Sequence, residues 1–146
     1  MKIETQTIHF ETKTQIDFVD VTERVREIVE ESGVHKGIAV IFSEHTTMGV
    51  GINHNEPLLL QDFMNMMYRL SPVDNRYNHD LFELKKQSKS DGRSNGHSHC
   101  KDLLIGNSES LLVEKGTLLL GKWQSIFAIE FDGARKRDII VRVMGE

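Results

Sequence analysis

The chain has 146 residues, enough for one compact domain and too few for two ordinary ones. Its 38% apolar and 27% charged composition suits a folded globular chain, and a net charge of −4 argues against a protein that coats nucleic acid. The opening Met1-Lys2-Ile3-Glu4 lacks a signal-peptide apolar region and no run is long enough to cross a membrane, while the lone Cys100 fits a reducing compartment; a cytoplasmic protein is the expectation.

In chain order, Lys2 to His9 alternates polar and apolar residues as a strand does, and a second such stretch runs from Thr12 to Val19 after a turn near Lys13. A helix follows, with Asp20 and Glu23 at capping-box spacing, Val21, Val25, Ile28 and Val29 on one face, and Gly33 at its end. The run Gly37 to Ser43 reads as a strand buried on both faces, and Thr47 to Ile52 as its neighbour. Pro57 opens a second helix to Leu70, where Leu59, Phe63, Met66, Met67 and Leu70 recur at spacings of three and four.

After Ser71-Pro72 come about 25 polar residues, with Tyr77, Leu81, Phe82 and Leu84 as apolar anchors, a length that ordered domains seldom keep without a use. Ser98 is placed to cap a short helix ending at Gly106. The remainder reads as strands at Ser110 to Val113, Thr117 to Leu120, Gln124 to Phe131 and Asp138 to Met144, with a turn at Glu114-Lys115-Gly116. Strands at both ends with two or three helices between them predict a single α+β domain, mostly antiparallel, with a sandwich or barrel-like core.

Seven histidines are many for so short a chain. His45 lies in Ser43-Glu44-His45-Thr46-Thr47 between two expected strands, and Asn53-His54-Asn55-Glu56 precedes the second helix. Strand and helix ends display side chains on a rigid base, and a histidine there can ligate a metal or move protons. In Asp91 to His99, a helix starting at Ser98 leaves only one of His97 and His99 facing a site; His99, on the first turn beside backbone N–H groups that favour anions, is preferred. Near the C-terminus, Arg135-Lys136-Arg137 follow a Gly-containing turn and offer fork-shaped phosphate donors. His9 and His35 are read as structural.

Taken together, His45-Thr46-Thr47 with Gly49, Asn53 and Asn55, then Arg76-Tyr77 and His79-Asp80, then Ser98-His99 with Lys101 and Gly106, and Gly121-Lys122-Trp123-Gln124 through Glu130-Phe131-Asp132-Gly133 and Arg135 resemble the YjbQ family. The resemblance implies sandwiched antiparallel sheets, a homotrimer with polar clefts near subunit contacts, and a cluster around His45 and His99 that holds a divalent metal, commonly zinc, or an anion. Three features depart from the family pattern. His54 stands where a carboxylate is usual, Lys85 to Ser90 looks inserted or altered, and Ala134 replaces a common proline.

Family members are often labelled secondary thiamine-phosphate synthases, so the first expectation is a reaction joining a pyrimidine methyl diphosphate to a thiazole phosphate. The catalytic candidates are His45, His99 and Glu130. The substrate-binding candidates are Thr46, Thr47, Asn53, Asn55, Lys101, Gln124, Arg135 and Arg137. A zinc-dependent hydrolase is a second expectation, with His45, His99 and His97 as ligands and Glu44, Glu56 or Glu130 as base; zinc on neutral histidines keeps an open position for an activated water. A third is a trimeric metabolite-binding protein without turnover. The expected partner is a phosphorylated small molecule or anion, with an acyl substrate also open for the hydrolase, and neither nucleic acid nor membrane.

Overall fold

The computed structural model describes residues 1–81 and 93–146. The strands are β1 (Lys2–Glu11), β2 (Asp17–Asp20), β3 (Lys36–Phe42), β4 (Met48–Asn53), β5 (Ser108–Glu114), β6 (Thr117–Leu118), β7 (Ser125–Glu130) and β8 (Lys136–Gly145); the helices are α1 (Thr22–Ser32), α2 (Pro57–Leu70) and α3 (Gly96–Ile105). Two antiparallel sheets form, a five-stranded one in the order β1-β8-β3-β5-β6 and a three-stranded one in the order β2-β7-β4. The α+β expectation holds. The expected change at Lys85 to Ser90, the anchors Phe82 and Leu84, and Asp91-Gly92 lie outside the described residues.

The main core fills the space between the sheets and α1. Ile8, Ala39, Ile41, Val113 and Val141 come from one sheet, Val50, Ile126 and Ala128 from the other, and Val25, Ile28 and Val29 from α1. A second cluster of Ile16, Met67, Phe127, Ile129 and Phe131 lies on the far side of the three-stranded sheet, packed against Leu60, Phe63 and Met64 of α2 and Ile105 of α3. Alternation along β7 serves both, because successive side chains point to opposite faces.

Several boundaries differ from expectation. The second strand is only four residues long because residues 12–16 turn: the Lys13 N–H donates to Asp17 Oδ2 at 2.8 Å and Thr14 Oγ1 to the Ile16 carbonyl at 2.6 Å. No capping box forms at α1, since Asp20 Oδ1 accepts instead from the backbone and hydroxyl of Thr22. At α2, Glu56 caps the helix by accepting from the Leu58 and Leu59 N–H groups, which hold its carboxyl below the usual range and commit it to a structural role rather than that of a base.

β3 is not buried on both faces. Ala39 and Ile41 point inward, whereas Ile38 (37% exposed) and Phe42 (40%) point out. The registers align Ile3, Met144, Ile38 and Leu112 in one row across four strands on the outer face of the five-stranded sheet. That row is apolar and, among the described residues of one chain, uncovered.

Candidate functional site

The segment between β3 and β4 is held by its own polar groups. Ser43 Oγ donates to the Met48 carbonyl and accepts from the His45 N–H, while Asn107 Nδ2 donates to the His45 carbonyl at 2.7 Å. These bonds set His45 at the rim of a polar pocket of about 270 Å³, lined by Glu44, His45, Thr46, Thr47, Asn95, His99, Arg135 and Arg137. The segments singled out around His45, His99 and the Arg135–Arg137 run thus meet in space.

His45 Nε2 lies 3.2 Å from Asp138 Oδ1, on the strand beside it. The Asp138 N–H also faces Nε2, at 3.5 Å, but the shorter contact is to the carboxylate, which only accepts when ionised; it favours a proton on Nε2 and leaves Nδ1 for a pocket ligand. His99 enters from α3, and its Nδ1 donates to the Thr46 carbonyl at 3.1 Å, which favours one tautomer there too. The His79 ring stands edge-on to His99, with centroids 4.6 Å apart. His9, expected to be structural, is instead placed by β1 at 3.9 Å from the other oxygen of Asp138, so this carboxylate faces two imidazoles.

The cations are arranged by two buried carboxylates. Asp132 accepts from Arg93 at 2.8 Å and 3.0 Å, from Arg135 at 2.8 Å and from Asn95 at 2.9 Å. Burial alone raises its pKa, but hydrogen bonds from Arg93 and Asn95 and the charges of Arg135 and Arg93 outweigh that, so Asp132 is held below the usual carboxylate range. Two guanidiniums share this one carboxylate, which holds both beside the pocket. Arg135 commits one terminal nitrogen to Asp132 and is among the residues that line the pocket.

Glu130, expected as a catalytic group, is fully buried. Its oxygens accept from Arg137 Nε and a terminal Arg137 nitrogen, from Thr12 Oγ1 and from the Phe131 and Asp132 N–H groups. It is therefore a structural counter-ion that holds Arg137, which in turn donates to Thr47 Oγ1 at 2.8 Å. Lys101 is likewise no anion contact: it is fully buried on α3, donating to the Ser71 carbonyl and to His97 Nδ1, and burial lowers its pKa.

α3 starts at Gly96, two residues before Ser98, so His97 and His99 both lie on it. Residues two apart on a helix point about 200° apart. His97 accordingly enters the interior, with Lys101 at 2.9 Å from one ring nitrogen and Gln15 at 3.3 Å from the other; burial, then the charge of Lys101, lowers its pKa. Both of its nitrogens are engaged, which does not fit a ligand set of His45, His97 and His99. Among the described residues no three His, Cys, Asp or Glu side chains are placed to hold one metal ion.

Asn53, Asn55 and Gln124 lie at the other end of the three-stranded sheet, where Asn53 pairs with Ser125. That end is about 17 Å along β4 from Met48, at 3.3 Å per residue. There Asn55 donates to Asp20, Gln124 accepts from the Gly121 N–H, and the His54 ring lies 5.0 Å from Trp123. Within one chain these residues are not part of the His45 pocket.

Sequence reasoning passed over Asp102. It is buried on α3 with, among the described residues, no hydrogen bond to Oδ1, and a Cβ on Gly49 would lie 2.9 Å from that atom. Burial pushes it up to about 6, against the Asn107 hydrogen bond and the charges of Arg137 and His45.

The sequence matches the family described as UPF0047 protein YjbQ-like over residues 6–146. The chain belongs to the YjbQ family. It is 36% identical over 146 residues to a UPF0047 protein of Methanothermobacter thermautotrophicus, covering 100% of this chain and 95% of the relative. With the YugU protein of Bacillus subtilis it shares 30% identity over 141 residues, 96% of this chain and 98% of the relative. A crystal structure of a YbjQ-like protein from Sulfolobus solfataricus superposes with a TM-score of 0.90 at 32% identity, covering 99% of both chains. A family structure from Clostridium acetobutylicum gives 0.84 at 34% identity, covering 95% of this chain and 99% of that one.

Proposed function

We propose that the chain is an enzyme of phosphorylated small molecules, and that its reaction is the thiamine-phosphate synthase type of coupling. The phosphoryl class is supported by Arg135 and Arg137 converging with His45 and His99 on a pocket in which Glu44 is the one acidic lining residue among those described. The specific reaction rests on the family resemblance. In it the methylene C–O bond of the pyrimidine diphosphate breaks, pyrophosphate leaves with the bonding pair, and the thiazole nitrogen forms the new C–N bond.

Arg135 and His99 would hold the diphosphate, with Arg137 fixing Thr47 behind it. His45, in its charged form, would donate from Nδ1 to the departing oxygen while Asp138 balances the ring at Nε2. Purified protein given both phosphorylated substrates is expected to form thiamine phosphate and pyrophosphate, and His45→Ala to abolish this; wild-type protein that binds pyrophosphate yet yields no product would overturn the enzymatic reading.

The homotrimer implied by the resemblance has a fitting contact surface in the outer row Ile3, Met144, Ile38 and Leu112. Light scattering should give three times the chain mass, and Ile38→Glu should reduce it. A monomer in the wild type would contradict the assignment.

A further inference from the structure

A second cavity, of about 260 Å³, lies at the opposite end of β4 from His45, between the three-stranded sheet and helices α2 and α3. Three aromatic rings make its deep corner: Phe18 meets Phe63 edge-on at 5.3 Å between centroids and Phe127 at 5.8 Å. Ile52, Leu60 and Ile105 complete the apolar wall. A dry cavity of about 150 Å³ is enough to accept benzene, so this one has room for a ring and a short substituent.

One acidic group interrupts that lining. Glu109, near the start of β5, is one of the residues that line the cavity. Among the described residues its carboxylate makes no hydrogen bond and no ion pair, although it is only partly exposed. A partly desolvated carboxylate beside aromatic faces is a complementary site for positive charge, through both charge pairing and cation–π attraction. An anion would be repelled by Glu109, and a neutral body would gain nothing from its charge.

We infer that this cavity binds a small organic cation, a ring or compact alkyl body carrying an ammonium or amidinium group that faces Glu109. The site is separate from the anion pocket: its lining includes Asn53 and His54 and shares no residue with the lining around His45. Trp123, the only tryptophan, lies beside His54 and reports on occupancy.

The test is a tryptophan-fluorescence titration at pH 7 with benzylammonium and, separately, neutral benzyl alcohol, the site being located by NMR methyl shifts of Ile52 and Ile105. Benzylammonium is expected to bind about tenfold more tightly, as a charge-assisted contact provides. Glu109→Gln, nearly isosteric and at a partly exposed position, is expected to keep benzyl alcohol affinity and erase the preference for the cation. Equal affinities in the wild type, a preference that survives Glu109→Gln, or shifts that map to His45 instead would each overturn the inference.

Discussion

Asp138 Oδ1 lies 3.2 Å from His45 Nε2, joining the last strand to the segment after β3. A carboxylate on the far nitrogen of a histidine orients the ring and favours one tautomer, which suits a proton donor to a leaving group. Asp138 is not among the residues lining the pocket and acts through His45, as a positioning residue. Asp138→Asn should lower kcat on the order of tenfold and leave KM nearly unchanged, with an altered pH profile. Steady-state kinetics across pH 6 to 9 test this, and an unchanged kcat and pH profile would remove the positioning role.

Glu130 and Arg137 are both buried and meet at 2.6 Å and 2.8 Å. Breaking one side of such a pair leaves the other charge buried and uncompensated, which costs about 3–5 kcal/mol. Glu130→Gln is therefore expected to show its main effect in urea unfolding, with a loss near that range. A variant as stable as the wild type but inactive would restore Glu130 as a catalytic group.

Asp102 gives a pH dependence with a definite sign. Its folded pKa, about 6, is above the ordinary 3.8, so the folded state holds the proton more tightly. The stability it contributes is present below about pH 3.8 and is lost as pH rises through 6. Asp102→Asn removes the buried charge and should be more stable than the wild type at pH 8, by about 1–3 kcal/mol, with the gap narrowing by about 1 kcal/mol at pH 5. Parallel urea-midpoint profiles for the two proteins between pH 5 and 8 would contradict this.

Elements with a clean period were legible in the sequence: β1 and β8 by alternation, α2 by the spacing from Leu59 to Leu70 and by Pro57. Gly37-Ile-Ala-Val-Ile-Phe was not, because a continuous apolar run has the same appearance whether its second face meets the core or an outer row such as Ile3, Met144, Ile38 and Leu112.

At the site, residue type at element ends points to His45, His99, Thr46, Thr47, Arg135 and Arg137, and the fold brings them to one pocket. Lys101 and Glu130 differ from expectation because burial depends on partners remote in sequence, such as Ser71 and Thr12. Asn53 and Gln124 separate from His45 because composition carries no record of which end of a strand a residue occupies. Asp138 escapes sequence reasoning for a related reason: its partners His9 and His45 are set by strand register and loop path.

The central claim, that the His45–His99–Arg135 pocket binds phosphoryl anions through its own side chains, is tested most directly by calorimetric titration of the protein with inorganic pyrophosphate in chelator-containing buffer. Saturable binding is predicted in the wild type, weakened about tenfold or more in Arg135→Ala and partly regained in Arg135→Lys, because a point charge replaces only part of a guanidinium fork. No binding by the wild type, or equal affinity in Arg135→Ala, would contradict it.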